Sequence, residues 1–289
     1  MKSNKIYIVA AVVLLVGLAF MFSGAASAGF STARLSADDW QDKTYTAAGD
    51  ITALVIDDSN TAVEIVPTDE ERVAVAYTDG RWQRYAVEEA NGALRVEKRT
   101  EPRDWFRSLW SFDFGVRRLT VRVPRGTALT LDAGTSNASV TLSGLSLAKL
   151  SLRTSNARVE VRDVTVAQGM EVKSSNGGVS LTDVTAQGDV AVTTSNDTVA
   201  LDGLTARTVD VKTSNGPITL DAVDGRETLR FESSNGSITG SLAGAMKDYS
   251  IESHTSNGSS NLPEELGLGG RSLTVRTSND RIDVGFAED

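Results

Sequence analysis

Four aspartates recur at near-equal intervals in the second half of this sequence: Asp163, Asp183, Asp202 and Asp221. Carboxylates so spaced support three chemistries. Each can close a turn by bonding its own backbone, a row can ligate calcium through oxygen, and a pair can act as acid and base on a glycosidic bond. Repetition favours the turn, because catalysis needs one differentiated site rather than the same residue in every unit. Other reactive groups are few. His254 is the only histidine, which removes His-based triads and multi-histidine metal sites within one chain. Cysteine is absent altogether, and with it disulfides, thiolate zinc sites, cysteine nucleophiles and a lipidated cysteine. No catalytic, cofactor-binding or metal site is assigned, and the chain reads as a non-enzyme. A carbohydrate-active β-helix enzyme is the less favoured alternative.

The aspartates belong to a larger repeat built on Ser-Asn in a fixed apolar frame. Its asparagines are Asn60, Asn137, Asn156, Asn176, Asn196, Asn215, Asn235 and Asn279, with a looser copy at Asn257. From Asn137 onward they are spaced by 19, 20, 20, 19, 20, 22 and 22 residues. A period near twenty marks a repeat architecture in which each unit buries its apolar face by stacking on the next.

The frame dictates the element that positions the asparagine. Val190, Val192 and Thr194 precede Asn196 at every second position, and Val199, Leu201 and Leu204 follow it. Asn215 repeats the arrangement with Val209, Val211 and Thr213, then Ile218, Leu220 and Val223. Period-two alternation means strand, so each unit is strand, corner at Ser-Asn, strand, second corner. Counting in twos places the asparagine inward and the serine outward. An inward asparagine can bond its counterpart on the next rung, forming a polar ladder. Asn, and Gly after it (Gly177, Gly216, Gly236, Gly258), suit a left-handed corner backbone. A leucine-rich repeat is excluded by the spacing and by the lack of helical periodicity between rungs, and the glycine-rich calcium nonapeptide is missing. The expected fold is all-β: a right-handed parallel β-helix, or β-solenoid, with about 20-residue rungs and asparagine corners, preceded by one N-terminal transmembrane or signal helix. Handedness follows the general crossover rule. Seven intervals at roughly 4.8 Å give a rod of about 34 Å.

The chain has 289 residues, a net charge of −9 and a pI near 4.8, a balance that argues against nucleic acid as partner. Lys2 and Lys5 precede an apolar run from Ile6 to Phe22. Residues 1–30 therefore read as a membrane anchor, with the remainder outward. Alternatively they form a signal peptide cleaved after Ala28 at Ala26-Ser27-Ala28. Residues 31–48 read as a spacer and 49–289 as the solenoid. The partners implied are the membrane, through the N-terminal segment, and an envelope protein or polysaccharide.

One insertion, about 79–118, breaks the repeat. Asp79-Gly80 and Asn91-Gly92 are hairpin signals that would join Val73–Tyr77, Tyr85–Val87 and Leu94–Val96 into a meander. Trp105, Phe106, Trp110, Phe112 and Phe114 follow. These aromatics read either as a cap over the open end of the solenoid or as an exposed contact surface for a partner, sugar or membrane interface.

The Ile51–Ile65 unit, the insertion ending Phe112-Asp113-Phe114-Gly115, the strand ending Val121-Arg122-Val123-Pro124 and the Thr-Ser-Asn rungs together resemble the DUF4097 family. Its members are adhesin-like bacterial proteins, including LiaG-like membrane-anchored ones. The resemblance spans about Gly49 to Val284 and implies an extracytoplasmic β-solenoid with no catalytic residues to transfer. Regular repeat residues without a differentiated constellation point to a surface for adhesion or for binding cell-envelope components. The alternative that the resemblance implies is a membrane-anchored accessory of an envelope-stress regulatory system.

Overall fold

The computed structural model describes residues 40–80, 83–100, 117–267 and 269–288. The anchor or signal segment, most of the expected spacer, and the aromatic residues Trp105, Phe106, Trp110, Phe112 and Phe114 lie outside the described residues. The first part of the chain supplies β1 (Gln41–Thr46), β2 (Ala53–Asp57), β3 (Ala62–Thr68), β4 (Ala74–Asp79), β5 (Gln83–Ala90), β6 (Ala93–Thr100) and β7 (Arg118–Pro124). The regular coils supply β8 (Thr130–Gly134), β9 (Val140–Ser143), β10 (Ser146–Leu147), β11 (Lys149–Arg153), β12 (Val159–Val166) and β13 (Met170–Lys173). They continue through β14 (Val179–Ala186), β15 (Asp189–Thr193), β16 (Val199–Asp202), β17 (Thr205–Thr213), β18 (Ile218–Ser233) and β19 (Ile238–Leu242). The last four strands are β20 (Tyr249–Thr255), β21 (Glu265–Gly267), β22 (Arg271–Thr277) and β23 (Ile282–Phe286).

Successive coils pair in parallel, each residue facing its equivalent one rung on. Ahead of the Ser-Asn corner, Leu54, Leu131, Leu150, Met170, Val190, Val209 and Leu229 fall in register and are buried. Beyond the corner, Val63, Val140, Val159, Val179, Val199, Ile218 and Ile238 make the facing column. Burying each such side chain contributes roughly 1.5–3 kcal/mol, and stacking supplies that burial where a lone coil could not. A short third side holds Leu147, Val166 and Ala186 in the same way. The turn onto it is left-handed at Gly144, Asp163, Asp183, Gly203 and Ala222, with φ of 66°, 52°, 52°, 61° and 49°. Asp163 and Asp183 thus occupy the corner itself, where Asp tolerates this backbone. Asp202 and Asp221 sit one position earlier, paired in extended strand. The four aspartates are therefore not one column.

Both ends depart from the regular stack. At the start, β6 and β7 form a further half-coil outside β2 and β3. Asn91 and Gly92, at φ 53° and 74°, turn the β5–β6 hairpin. The expected meander is only partly present. β4 pairs with β1 and β7 rather than with β5, so Asp79-Gly80 does not close a hairpin between β4 and β5. The expected spacer, 31–48, is also corrected, since it includes β1. That strand is polar on both faces because it is an exposed edge, so no apolar alternation announces it. At the far end the rungs are out of chain order. β22 inserts between β18 and β20, and β21 folds back antiparallel on β20. The Asn261 side-chain amide donates to Val284 O and accepts from Val284 N–H, both at 3.0 Å, covering part of the edge of β23.

Candidate functional site

The nine asparagines form one continuous ladder on the outside of the solenoid. Each Nδ2 donates to the Oδ1 of the rung before it, in the order Asn60, Asn137, Asn156, Asn176, Asn196, Asn215, Asn235, Asn279, Asn257, at 2.6–2.7 Å throughout. The amides are aligned head to tail, so each bond polarises the next. Their orientation corrects the parity expectation: all nine asparagines are exposed. Period two holds only within a pleated strand. From Thr154, the last inward residue before the corner, to Val159, the first after it, is an odd count, so the vertex residue Asn156 is turned out.

Except at Asn257, where Thr255 is only partly buried, the inward place belongs to the residue two before the asparagine. Thr135, Thr154, Ser174, Thr194, Thr213, Ser233 and Thr277 are all buried there. Ser174, Thr213 and Ser233 accept the N–H of Gly177, Gly216 and Gly236 at 2.9, 3.1 and 2.8 Å. Thr194, Ser233 and Thr277 donate to the carbonyls of Gly177, Gly216 and Gly236 on the preceding rung at 3.2, 3.2 and 3.0 Å. The hydroxyls of Thr135 and Thr154 are buried without a partner. The corner glycines are there for close approach and not for a left-handed backbone. A Cβ on Gly177 would lie 1.7 Å from Ala157 O, and none of Gly177, Gly216, Gly236 and Gly258 has positive φ.

Charges beside the ridge are neutralised in pairs across one sheet face: Arg153–Asp132 at 2.7 Å, Lys212–Asp210 at 3.1 Å and Arg276–Glu252. These pairs are exposed and each contributes under about 1 kcal/mol. They leave that face regular and polar, its charges matched in pairs. At the far end a 380 Å³ cleft is lined by Glu252, Ser253, His254, Glu264, Glu265 and Arg276. His254 is exposed on β20 at its rim. Among the described residues no three carboxylates or histidines gather to hold a metal.

A second polar feature is buried and singular. In the first rung Asp58 stands where the later rungs have Thr or Ser. Its Oδ1 accepts the N–H groups of Ser59, Asn60 and Thr61 at 2.6, 2.9 and 2.8 Å. Tyr85 Oη, from β5, donates to Oδ2. Lys98 Nζ, from β6, lies 3.6 Å from Oδ1 and donates to Thr61 Oγ1 at 2.7 Å. The Asp58 and Lys98 side chains are 0% and 3% exposed. Burial lowers the pKa of Lys98, opposed by the nearby Asp58 charge. Burial, reinforced by Asp58, raises that of Tyr85 well above the ordinary phenol. Sequence reading missed this cluster, whose one local sign is the departure from Thr/Ser at Asp58.

A cysteine-free parallel solenoid with an external asparagine ridge defines a class of repeat protein that presents a surface. The chain belongs to the Toastrack DUF4097 family, whose model matches residues 51–284. A putative adhesin from Bacteroides fragilis is similar at 12% identity, covering 85% of this chain and 96% of its own, with a TM-score of 0.47. One from Parabacteroides distasonis is similar at 11%, covering 86% and 98%, with a TM-score of 0.44. No curated protein matches the sequence.

Proposed function

We propose that this protein is a non-enzymatic, outward-facing component of the cell envelope whose right-handed solenoid presents its surface for adhesion or for binding envelope components. The observation that carries the reading is the unbroken external ladder of nine amides. Each rung repeats the same donor and acceptor at strand spacing, roughly 4.8 Å, which suits an extended polymer or a long protein edge better than a small molecule. The N-terminal apolar run supplies a single membrane span, or a signal peptide cleaved after Ala28, and the aromatic residues from Trp105 to Phe114 supply a cap or a second contact.

The test uses the exposed serines beside the ladder. Ser175→Arg, Ser214→Arg and Ser234→Arg combined add bulk and charge along the ridge without removing a ladder amide. Saturable binding of the native protein to isolated cell envelopes, lost in the triple variant at unchanged melting temperature, supports the proposal. Crosslinking in cells then separates a wall polymer from a membrane-protein partner, the latter favouring a regulatory accessory. Turnover of a polysaccharide, abolished by one carboxylate substitution, overturns the non-enzymatic reading.

A further inference from the structure

The Asp58, Tyr85, Lys98 and Thr61 cluster does more than the hydroxyl column it replaces, and nothing in the ridge reading uses it. An ordinary rung needs only Thr or Ser at this corner. Here a carboxylate is sealed against an amine brought from 40 residues away, on a different strand. Removing two charges from water costs several kcal/mol per ion, and a single ion pair recovers that only with good geometry. At 3.6 Å the Lys98 Nζ to Asp58 Oδ1 contact is longer than a direct hydrogen bond.

We propose that Lys98 and Asp58 condense into an intramolecular amide that covalently clips the β5–β6 hairpin to the first rung. Lys98 Nζ attacks Asp58 Cγ, forming the C–N bond. The C–Oδ2 bond breaks and Oδ2 leaves as water, carrying two of the three protons of the ammonium. The third remains on the amide nitrogen. No oxidant or reductant is consumed. Each neighbour has a part in this step. Ser59, Asn60 and Thr61 aim three N–H groups at Oδ1, which gathers negative charge in the tetrahedral adduct, as in an oxyanion hole. Tyr85 already bonds Oδ2, the departing oxygen, and its hydroxyl relays protons to it. Thr61 Oγ1 holds the amine beside the carboxyl. Burial weakens the hold of Lys98 on its proton, making the nucleophilic free base more accessible than in water.

The product preserves what the cluster already satisfies. Oδ1 becomes the amide carbonyl and keeps its three backbone donors, the new N–H can still reach Thr61 Oγ1, and two buried charges disappear. The same N–H groups stabilise the ground-state carboxylate, so the reaction is slow. It has to occur once per chain. Without cysteine, the protein has no disulfide to staple this end.

The experiment is the intact mass of the full-length protein after denaturation, with peptide mapping. The expected mass is one water below that of the sequence, with a branched peptide joining the β2–β3 corner to β6. Lys98→Arg, which keeps the charge, should restore the full mass, and Tyr85→Phe should slow the loss of water during refolding. A wild-type protein at full sequence mass after prolonged incubation at neutral pH overturns the proposal, whatever the variants do. So does a loss of water that persists in Lys98→Arg, since an aspartate cyclised on its own backbone would produce that.

Discussion

The internal hydroxyl column allows one substitution to act with opposite signs at equivalent rungs. Thr213 and Thr154 occupy the same inward corner position, 7% and 6% exposed. Valine matches threonine in shape, so replacement changes the hydroxyl and little else. Thr213 Oγ1 accepts the Gly216 N–H at 3.1 Å, and Gly216 is buried. Thr213→Val leaves that donor unpaired and should destabilise by about 1–3 kcal/mol. The Thr154 hydroxyl has no partner, and the next corner residue is Ala157 rather than glycine. Thr154→Val removes an unsatisfied buried polar group and should stabilise by about 1 kcal/mol. Urea unfolding of both variants, compared at unchanged m-value, measures the difference directly. The predicted gap between them is about 2–4 kcal/mol. If Thr154→Val costs as much as Thr213→Val, the hydroxyls are not distinguished by their partners and the column has been misassigned.

The ladder gives a second contrast: Asn196→Ala breaks two amide bonds, at 2.6 and 2.7 Å, in an exposed position. Water replaces part of that loss, so denaturation should show about 1–2 kcal/mol, against under about 0.5 for Ser195→Ala. Gly177→Ala drives a Cβ into the Ala157 carbonyl of the adjoining rung, at 1.7 Å, and backbone cannot yield cheaply. It should cost 1–3 kcal/mol or more on the order expected for overpacking, while Gly267→Ala, facing open space, should shift the thermal midpoint negligibly. Glu89 accepts the Ala48 and Gly49 N–H groups and the Tyr45 hydroxyl, and these bonds, in that order, lower its pKa. A depressed carboxylate stabilises fully above the unfolded value, about 4.3, and that contribution is lost as pH falls through the folded one. Protection factors at Ala48 and Gly49, taken against the intrinsic exchange rate at each pH, should therefore fall in acid, and Glu89→Gln should show weak protection at every pH.

Alternation of apolar residues around Asn156, Asn176, Asn196 and Asn215 reveals strands, corners and parallel stacking, because in a repeat each residue meets its own counterpart and one unit describes its neighbours. Asn91-Gly92 likewise announces its hairpin through backbone preference alone. The polar site is less legible. Aspartates at similar spacing suggested a column, yet a one-residue offset puts Asp163 and Asp183 at left-handed corners and Asp202 and Asp221 in strand. The inward hydroxyls were visible as Thr and Ser in the frame, but their role depends on which carbonyl and which glycine lie across the rung.

What sequence determined here is local: period two within strands, a repeat near twenty, and the residues able to turn a corner. Which way Asn156 points was decided by the corner's geometry, since pleating lapses there and parity with it. The order of the last two rungs, Asn279 before Asn257, was decided by tertiary packing, because both fit the same frame and only β22 lying between β18 and β20 distinguishes them. The meeting of Asp58 with Tyr85 and Lys98 likewise depends on strands 27 and 40 residues apart being folded over the first rung. Neighbours along the chain encode the unit. Contacts between units, which the chain's order does not record, set its ends, its sidedness and the buried cluster at Asp58.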